Sequence, residues 1–281
     1  MQTNHSTQKQ KGEALKALHE RDGILIVPNP WDAGSAKMLT AMGFEALATS
    51  SGGLAFSLGK PDARAAVTRD ETLNNIVGIV AATHLPVTAD LENGFGDEPE
   101  DCAETIQLAA SLGLAGGSIE DATGNPQSPF YSFEHAVERV RAAAETARSL
   151  PFQFSLTARA ENFLHGNPDL ADTIKRLEAF AEAGADVLFA PGLRSKDDII
   201  AVVKAVAPKP VNVLVAGPLT GITVKELEDL GVKRISVGAS LARAAYTSFI
   251  HAAEEIRHQG TFKYVDAAKT FKEFNDMMSR P

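Results

Sequence analysis

Eight short runs of apolar and β-branched residues recur along this chain, and each is followed by a segment whose apolar residues have helical spacing. The runs predict strands at 23–28, 45–50, 86–92, 114–120, 152–159, 185–191, 210–217 and 233–240. Several of them are continuously apolar, which is typical of parallel strands that are covered on both faces. Eight strand–helix units favour an α/β fold of the closed (β/α)8 TIM barrel type over an open doubly wound sheet.

Glycines between the predicted elements indicate the same architecture. Gly43, Gly184 and Gly231 each stand between a helical segment and a predicted strand, and glycine commonly ends helices because it tolerates the left-handed backbone conformation. No low-complexity linker interrupts the pattern, so we expect one domain over residues 1–281. The chain from about residue 241 onward supplies extra C-terminal helices. These must pack on the barrel itself or on a neighbouring subunit.

Composition and charge exclude several classes of partner. The formal net charge is −9, and an acidic surface argues against binding to nucleic acid or to membrane phosphates. No segment approaches the roughly 20 apolar residues of a membrane span, and the polar N-terminus lacks the apolar core of a signal peptide. The single cysteine, Cys102, permits no intrachain disulfide. We therefore expect a soluble, cytoplasmic protein with a small-molecule partner.

Acidic residues stand at the ends of neighbouring predicted strands, which is where catalytic groups of such barrels lie. Asp90 and Glu92 end the third strand, and Glu120 ends the fourth. Two positions apart on an extended strand, Asp90 and Glu92 would point to the same side. Converging carboxylates raise one another's pKa or bind a cation, and an all-oxygen set suits Mg²⁺ or Mn²⁺. Any one of these acids alone is more simply a solvated strand end, but acids are rare in strands and the set favours a cation site.

Two further strand ends carry residues suited to an anionic substrate. Arg159 ends the fifth strand, and its guanidinium could bind a carboxylate in bidentate fashion. A salt bridge from Arg159 to Glu161 or to one of the metal-site acids is an equal alternative. After the second strand, Ser51, Gly52 and Gly53 offer backbone N–H groups in a predicted turn, although such runs are usually ordinary turns.

The motifs ADLENGFGD, GGSIED, LTARAEN, VLFAPG and RISVGASLAR, together with the segment from NPWDAGSAKM to TSSGG, resemble the isocitrate lyase/phosphoenolpyruvate mutase superfamily. The resemblance covers most of the barrel. It implies a Mg²⁺-dependent enzyme that acts on small 2-oxo or 2-hydroxy acids through pyruvate enolate-type intermediates. It also implies a homo-oligomer, a tetramer or a dimer, with C-terminal helices exchanged between neighbours.

The same resemblance assigns roles to individual residues. Asp90 is implied as the direct metal ligand, with Glu92 and Glu120 in the supporting acid positions. Catalytic roles fall to Asp62, Glu120 and Arg159. The substrate-binding residues implied by the resemblance are Ser51, Gly52, Gly53, Arg159 and Asn212.

The segment after the strand-four acid departs from the lyases of this superfamily. There the lyases carry a Lys-Lys/Arg-Cys-Gly-His loop whose cysteine is the acid/base, whereas this chain reads EDATGNPQSPFYSFEHA. We therefore weigh three hypotheses. The first is a carbon–carbon lyase or decarboxylase acting on a 2-hydroxy or 2-oxo di- or tricarboxylic acid. The second is a phosphonopyruvate or phosphoenolpyruvate mutase or hydrolase, and the third is a non-catalytic barrel.

Overall fold

The computed structural model describes residues 7–62 and 65–279. Eight parallel strands form one sheet in the order β1-β8-β7-β6-β5-β4-β3-β2, with helices between successive strands. The strands are β1 (Leu25–Val27), β2 (Leu47–Ala48), β3 (Val87–Asp90), β4 (Gly116–Glu120), β5 (Ser155–Arg159), β6 (Val187–Phe189), β7 (Val211–Leu214) and β8 (Arg234–Ser236). Each lies inside its predicted run but is shorter. The predicted (β/α)8 fold with extra C-terminal helices is confirmed.

The α-helices of the described residues are α1 (Gln8–Glu20), α2 (Ala33–Ala41), α3 (Ser51–Ser57), α4 (Arg69–Ala81), α5 (Pro99–Ser111), α6 (Phe133–Ser149), α7 (Leu170–Ala183), α8 (Lys196–Val206), α9 (Val224–Asp229), α10 (Ser240–Gln259) and α11 (Phe271–Met278). Within the described part of the chain, none of them combines the length and the apolar character that a membrane span requires. Helices α2 and α4 to α9 bury apolar side chains in one large cluster around the sheet, whereas α10 and α11 bury almost none.

Helix α1 lies across the N-terminal ends of the strands. Gln8 donates to the carbonyl of Leu114 just before β4, and Lys11 donates to the carbonyl of Thr83 just before β3. Gly12 comes so close to the carbonyl oxygen of Gln153 that a Cβ there would lie 2.0 Å from it. The beginning of the chain therefore closes this end of the barrel, and the active-site end of the fold is the opposite one.

The interior of the barrel is polar around Arg234. This side chain is 5% exposed, and its Nη1 donates to Thr157 Oγ1 at 3.2 Å on the far side of the barrel. Burial lowers the pKa of Arg234 to about 10. Asn212 on the neighbouring strand donates to Ser236 Oγ at 2.9 Å. Together these side chains line a cavity of about 70 Å³ inside the sheet.

Asn29 helps to close the barrel at the seam between β1 and β2. Among the described residues, β1 pairs with β8 but has no ladder with β2, and the seam is joined by the bond from Ala48 N–H to Pro28 O at 3.1 Å. The buried Asn29 amide donates to Thr49 O at 2.9 Å. Its Oδ1 accepts from the N–H groups of Val237 and Gly238, both at 2.9 Å. One side chain thus ties the ends of β2 and β8 together.

We expect Asn29→Ala to lower the free energy of unfolding by about 2–4 kcal/mol, because three hydrogen bonds of a buried side chain are lost and their backbone partners are left without it. Urea unfolding followed by circular dichroism measures the change. The matched control is Asn74→Ala, at an exposed position of α4, which should shift stability by less than about 1 kcal/mol. Equal effects of the two substitutions would show that Asn29 does not hold the seam.

Candidate functional site

A buried guanidinium lies at the centre of the polar residues on the C-terminal rim of the barrel. Arg159 ends β5, and its Nη1 lies 2.9 Å from Asp90 Oδ1 at the end of β3. Its Nη2 lies 3.2 Å from Glu120 Oε2 at the end of β4, and its Nε lies 2.8 Å from Glu161 Oε1. The structure therefore brings together three strand ends that the sequence analysis singled out. Of the interpretations weighed for Arg159, it shows the salt bridges, both to Glu161 and to acids of the predicted metal site.

The cluster has several carboxylates and one guanidinium, that of Arg159, and the pKa values of the acids reflect this imbalance. Burial raises the pKa of Glu120 well above its usual range, and the neighbouring carboxylates add to that effect against the opposing Arg159. Burial and the charge of Asp90 raise the pKa of Glu92 to about 7. Burial also opposes ionisation of Asp90, yet the guanidinium and the Glu92 N–H hold the pKa of Asp90 below its usual value. The cluster thus has negative charge that one arginine does not neutralise.

The sequence argument for Asp90 and Glu92 used the wrong backbone geometry. Strand β3 ends at Asp90, and Leu91 is fully buried. Glu92 has φ = +47°, in the left-handed region, so the two acids are not alternate residues of one extended strand. They are neighbours because the chain turns back, and the Glu92 N–H donates to Asp90 Oδ1 at 3.2 Å.

The segment after β2 is a helix start and not the predicted turn. Ser50 caps α3, and its Oγ accepts from the N–H of Gly53 at 3.2 Å. The N–H of Ser51 points to Asp90 Oδ2 at 3.4 Å. A Cβ on Gly52 would lie 2.6 Å from Asp62 Oδ2, so the missing side chain lets the Asp62 loop approach. The N–H of Gly53 is already engaged, which leaves Ser51 as the residue of this run that faces the acids.

A cavity of about 350 Å³ opens above the cluster. Its ionisable lining residues are Asp62, Glu92, Glu120, Arg159, Glu161 and His165. Ser51 also lines it, whereas Asn212 does not: it faces the smaller cavity inside the sheet, together with Asp90 and the other side of Arg159. Of the predicted substrate-binding residues, Ser51 and Arg159 therefore line the open cavity, whereas Gly52, Gly53 and Asn212 do not.

Sequence reasoning undervalued Glu161 and did not assign Asp121. Glu161 is 2% exposed, and its N–H donates to Asp121 Oδ1 at 2.8 Å. The other oxygen of Asp121 lies 3.0 Å from Arg176 Nη1 on α7. This second buried pair fixes the loop after β5 to the end of β4. The sequence did offer one signal for these two residues. Acids that closely follow the ends of two central strands are expected to be buried.

The donor set suits a divalent cation by its chemistry. All the ionisable groups that converge with Asp90 are carboxylates apart from Arg159 and His165, and hard cations prefer such oxygen ligands. As folded, however, no three Asp, Glu, His or Cys side chains of residues 7–62 and 65–279 form a ready-made metal cage. Arg159 lies between the carboxylates instead. A bound cation would favour the ionised forms of Glu92 and Glu120, which burial disfavours.

Comparisons with known proteins agree with this geometry. The family model described as phosphoenolpyruvate phosphomutase matches residues 15–257. The 2-methylisocitrate lyase of Escherichia coli strain K12 is 30% identical over 277 residues, which is 95% of this chain and 92% of that protein.

Solved structures give the same result. A protein from Burkholderia cenocepacia J2315, provisionally described as a lyase/mutase, is 54% identical with a TM-score of 0.93, over 98% of this chain and 97% of that one. Oxaloacetate acetylhydrolase, solved with its product oxalate, is 27% identical with a TM-score of 0.85, over 95% and 94% of the two chains.

These relatives include carbon–carbon bond-cleaving enzymes. The matches extend over the whole barrel and include each strand end that contributes to the acid cluster. The resemblance stated from the motifs alone is therefore confirmed. The chain belongs to the isocitrate lyase/phosphoenolpyruvate mutase superfamily.

Proposed function

We propose that this protein is a Mg²⁺-dependent lyase that cleaves a carbon–carbon bond of a small 2-hydroxy or 2-oxo di- or tricarboxylic acid. The observation that carries the proposal is the set of carboxylates around Arg159, of which Glu120 and Glu161 line a cavity of about 350 Å³. A cavity of this size suits a small polar metabolite. The lyase and acetylhydrolase relatives act on acids of this class, by their names.

Asp90, Glu92 and Glu120 are the residues that would hold the cation, Mg²⁺ or Mn²⁺, directly or through water. When bound, the cation supplies positive charge that stabilises the negative charge developing on the substrate oxygens. Burial, together with the neighbouring carboxylates, raises the pKa of Glu92 and Glu120, and a bound cation would offset this penalty on their ionisation, which supports the assignment. Asp90, whose pKa is lowered, is ionised at neutral pH and is the natural direct ligand.

Arg159 is the group that we assign to the substrate carboxylate, because its planar guanidinium matches a carboxylate at two points. A substrate must then share or replace one of the protein carboxylates now bound to it. Ser51 presents its N–H at the same rim, next to Gly52 and Gly53. We assign Asp62 and Glu120 to catalysis with Arg159, since both line the cavity.

Asn212 is a weaker candidate for direct substrate contact. It lies in the barrel interior below Asp90 and Arg159. Its Oδ1 is buried without a hydrogen-bond partner among the described residues. We propose that Asn212 acts at the floor of the site rather than in its open cavity.

Chemistry on a carbon–phosphorus bond is the second candidate, since the matching family model is described as a phosphomutase. A phosphonyl group needs cationic or amide donors near the transferred group. The segment 121–132 after β4 contains no lysine or arginine. This absence favours the lyase, and phosphorus NMR with phosphonopyruvate distinguishes the two reactions.

We also propose a cytoplasmic homo-oligomer, a tetramer or a dimer, in which C-terminal helices are exchanged. The support is the apolar surface of the C-terminal segment. Phe249 on α10 is 69% exposed, and Phe271 on α11 is 89% exposed. Large exposed apolar patches mark surfaces that are covered by other protein.

Asp90→Asn should abolish binding of oxalate, a mimic of enolpyruvate, in the presence of Mg²⁺, and with it all metal-dependent turnover of 2-methylisocitrate or oxaloacetate. The amide keeps the shape of the side chain but removes the charge that attracts the cation. Calorimetric titration measures binding, and circular dichroism verifies the fold. The control is Asp22→Asn at an exposed position, which should bind normally. Full activity of the Asp90 variant would end the lyase proposal, and a wild type that binds no Mg²⁺ and oxalate would indicate a non-catalytic barrel.

Phe249→Glu combined with Phe271→Glu should convert the oligomer to a lower-mass species, because two charges would have to be buried in the interface. Light scattering after size-exclusion chromatography measures the mass. The control is His251→Glu, an exposed position of α10. A monomeric wild type, or an unchanged mass of the double variant, would contradict helix exchange.

A further inference from the structure

The segment after β4 supplies no proton donor to the cavity. It folds back on itself, with an antiparallel bridge between Ala122 and Phe130 and a bond from Thr123 N–H to Pro129 O at 3.0 Å. Residues 122–130 contain no cysteine, histidine, lysine or acid. The hydroxyl of Tyr131 donates to Asp97 Oδ1 at 2.7 Å, and burial raises its pKa. Carbon–carbon cleavage leaves a carbanion that must be protonated, so the donor has to come from elsewhere.

Cys102 cannot take this part. Its thiol is fully buried in α5, and its Sγ contacts the carbonyl of Asn93 at 3.6 Å. Burial raises its pKa to about 11. It does not line the cavity above Arg159.

His165 lines the cavity in which a proton donor is required. It stands in the turn after β5, where its N–H donates to Glu161 O at 3.3 Å. Its side chain is 25% exposed and lines the same cavity as Arg159 and Glu120. Among the described lining residues it is the imidazole, and no thiol, amine or phenol accompanies it. Histidine is the side chain best suited to exchange protons near neutral pH.

Two contacts orient the ring of His165. Its Nε2 lies 3.9 Å from Glu161 Oε2, and Glu161 is itself fixed by Arg159. The ring of Phe130 meets the imidazole edge-on, with 5.7 Å between ring centroids and an interplanar angle of 88°. The segment 122–130 has no acid/base residue of its own, but its Phe130 contributes the aromatic ring that packs against His165. The other charged groups facing this cavity are Asp62, Glu92 and Glu120.

We propose that His165 is the catalytic acid that protonates the carbon released by bond cleavage, a role that rests on the lyase function proposed above. The bond between the 2-carbon and its neighbour breaks, and its electron pair moves to the leaving fragment as an enolate. The 2-hydroxyl proton passes to a carboxylate of the cavity, for which we assign Asp62; in a 2-oxo acid such as oxaloacetate, water that has first added to the 2-carbonyl supplies this hydroxyl. The imidazolium of His165 donates one proton to the enolate carbon and becomes neutral, and the carboxylate proton returns to it through solvent. Glu161 and Phe130 are positioning residues.

The test compares His165→Gln with the wild type on whichever of 2-methylisocitrate and oxaloacetate the wild type cleaves. We expect kcat to fall by about 10²–10⁴-fold, the usual contribution of a general acid, while the affinity for Mg²⁺ plus oxalate changes less than threefold. The pH–rate profile should lose the alkaline limb that reports an essential protonated acid. Incorporation of deuterium from D₂O into the protonated carbon of the product should slow in proportion.

Two further variants make the result specific. His84→Gln, at an exposed position outside the cavity, should leave every parameter unchanged. Phe130→Leu should lower kcat less than the histidine substitution does and should keep the pH profile.

The outcomes separate the two proposals. A His165→Gln enzyme with wild-type kcat, or one that loses activity only because Mg²⁺ and oxalate no longer bind, overturns the role of His165 and leaves the lyase function standing. A wild type that cleaves neither acid overturns the lyase function, and this role with it.

Discussion

The contact of Arg159 with three carboxylates is the interaction on which the rest of the site depends. Each of these charges is buried, and burying an ion alone costs several kcal/mol. The guanidinium compensates Asp90, Glu120 and Glu161 at once, and in return it fixes the ends of β3, β4 and β5 relative to one another. Since the compensation is incomplete, the cluster keeps the surplus negative charge that makes it receptive to a cation.

A second buried ion pair, between Asp121 and Arg176, supports the cluster around Arg159. Asp121 binds the N–H of Glu161 and the side chain of Arg176, so the helix after β5 is tied to the end of β4. Glu161 therefore cannot move without disturbing Asp121. Because the same residue contacts His165, the position of the imidazole depends on both pairs. The ionic side chains of the rim share partners, so the position of each one depends on its neighbours.

The sequence was sufficient for the architecture and for placing Asp90, Glu120 and Arg159 at one rim. Eight apolar runs predict eight strands because parallel strands covered on both faces need apolar residues throughout. It was insufficient where the backbone leaves regular structure. The left-handed conformation of Glu92, the helix start at Ser51 and the interior position of Asn212 follow from tertiary contacts that no local pattern encodes. His165 was overlooked for the same reason, since its neighbours Phe130 and Glu161 come from separate segments.

The two ends of the barrel differ because helix α1 lies across the N-terminal ends of the strands. It lies against Gln153 and the starts of β3 and β4, and so covers this part of the N-terminal end. The cavity above Arg159 opens at the opposite rim, and we expect substrates and products to enter and leave there. Because the two ends differ in this way, the rim loops, and with them the reaction, can change in evolution while the N-terminal end of the barrel is retained. Phe130 belongs to such a rim loop and packs against His165, so a change in that loop alone would alter the surroundings of the proposed acid.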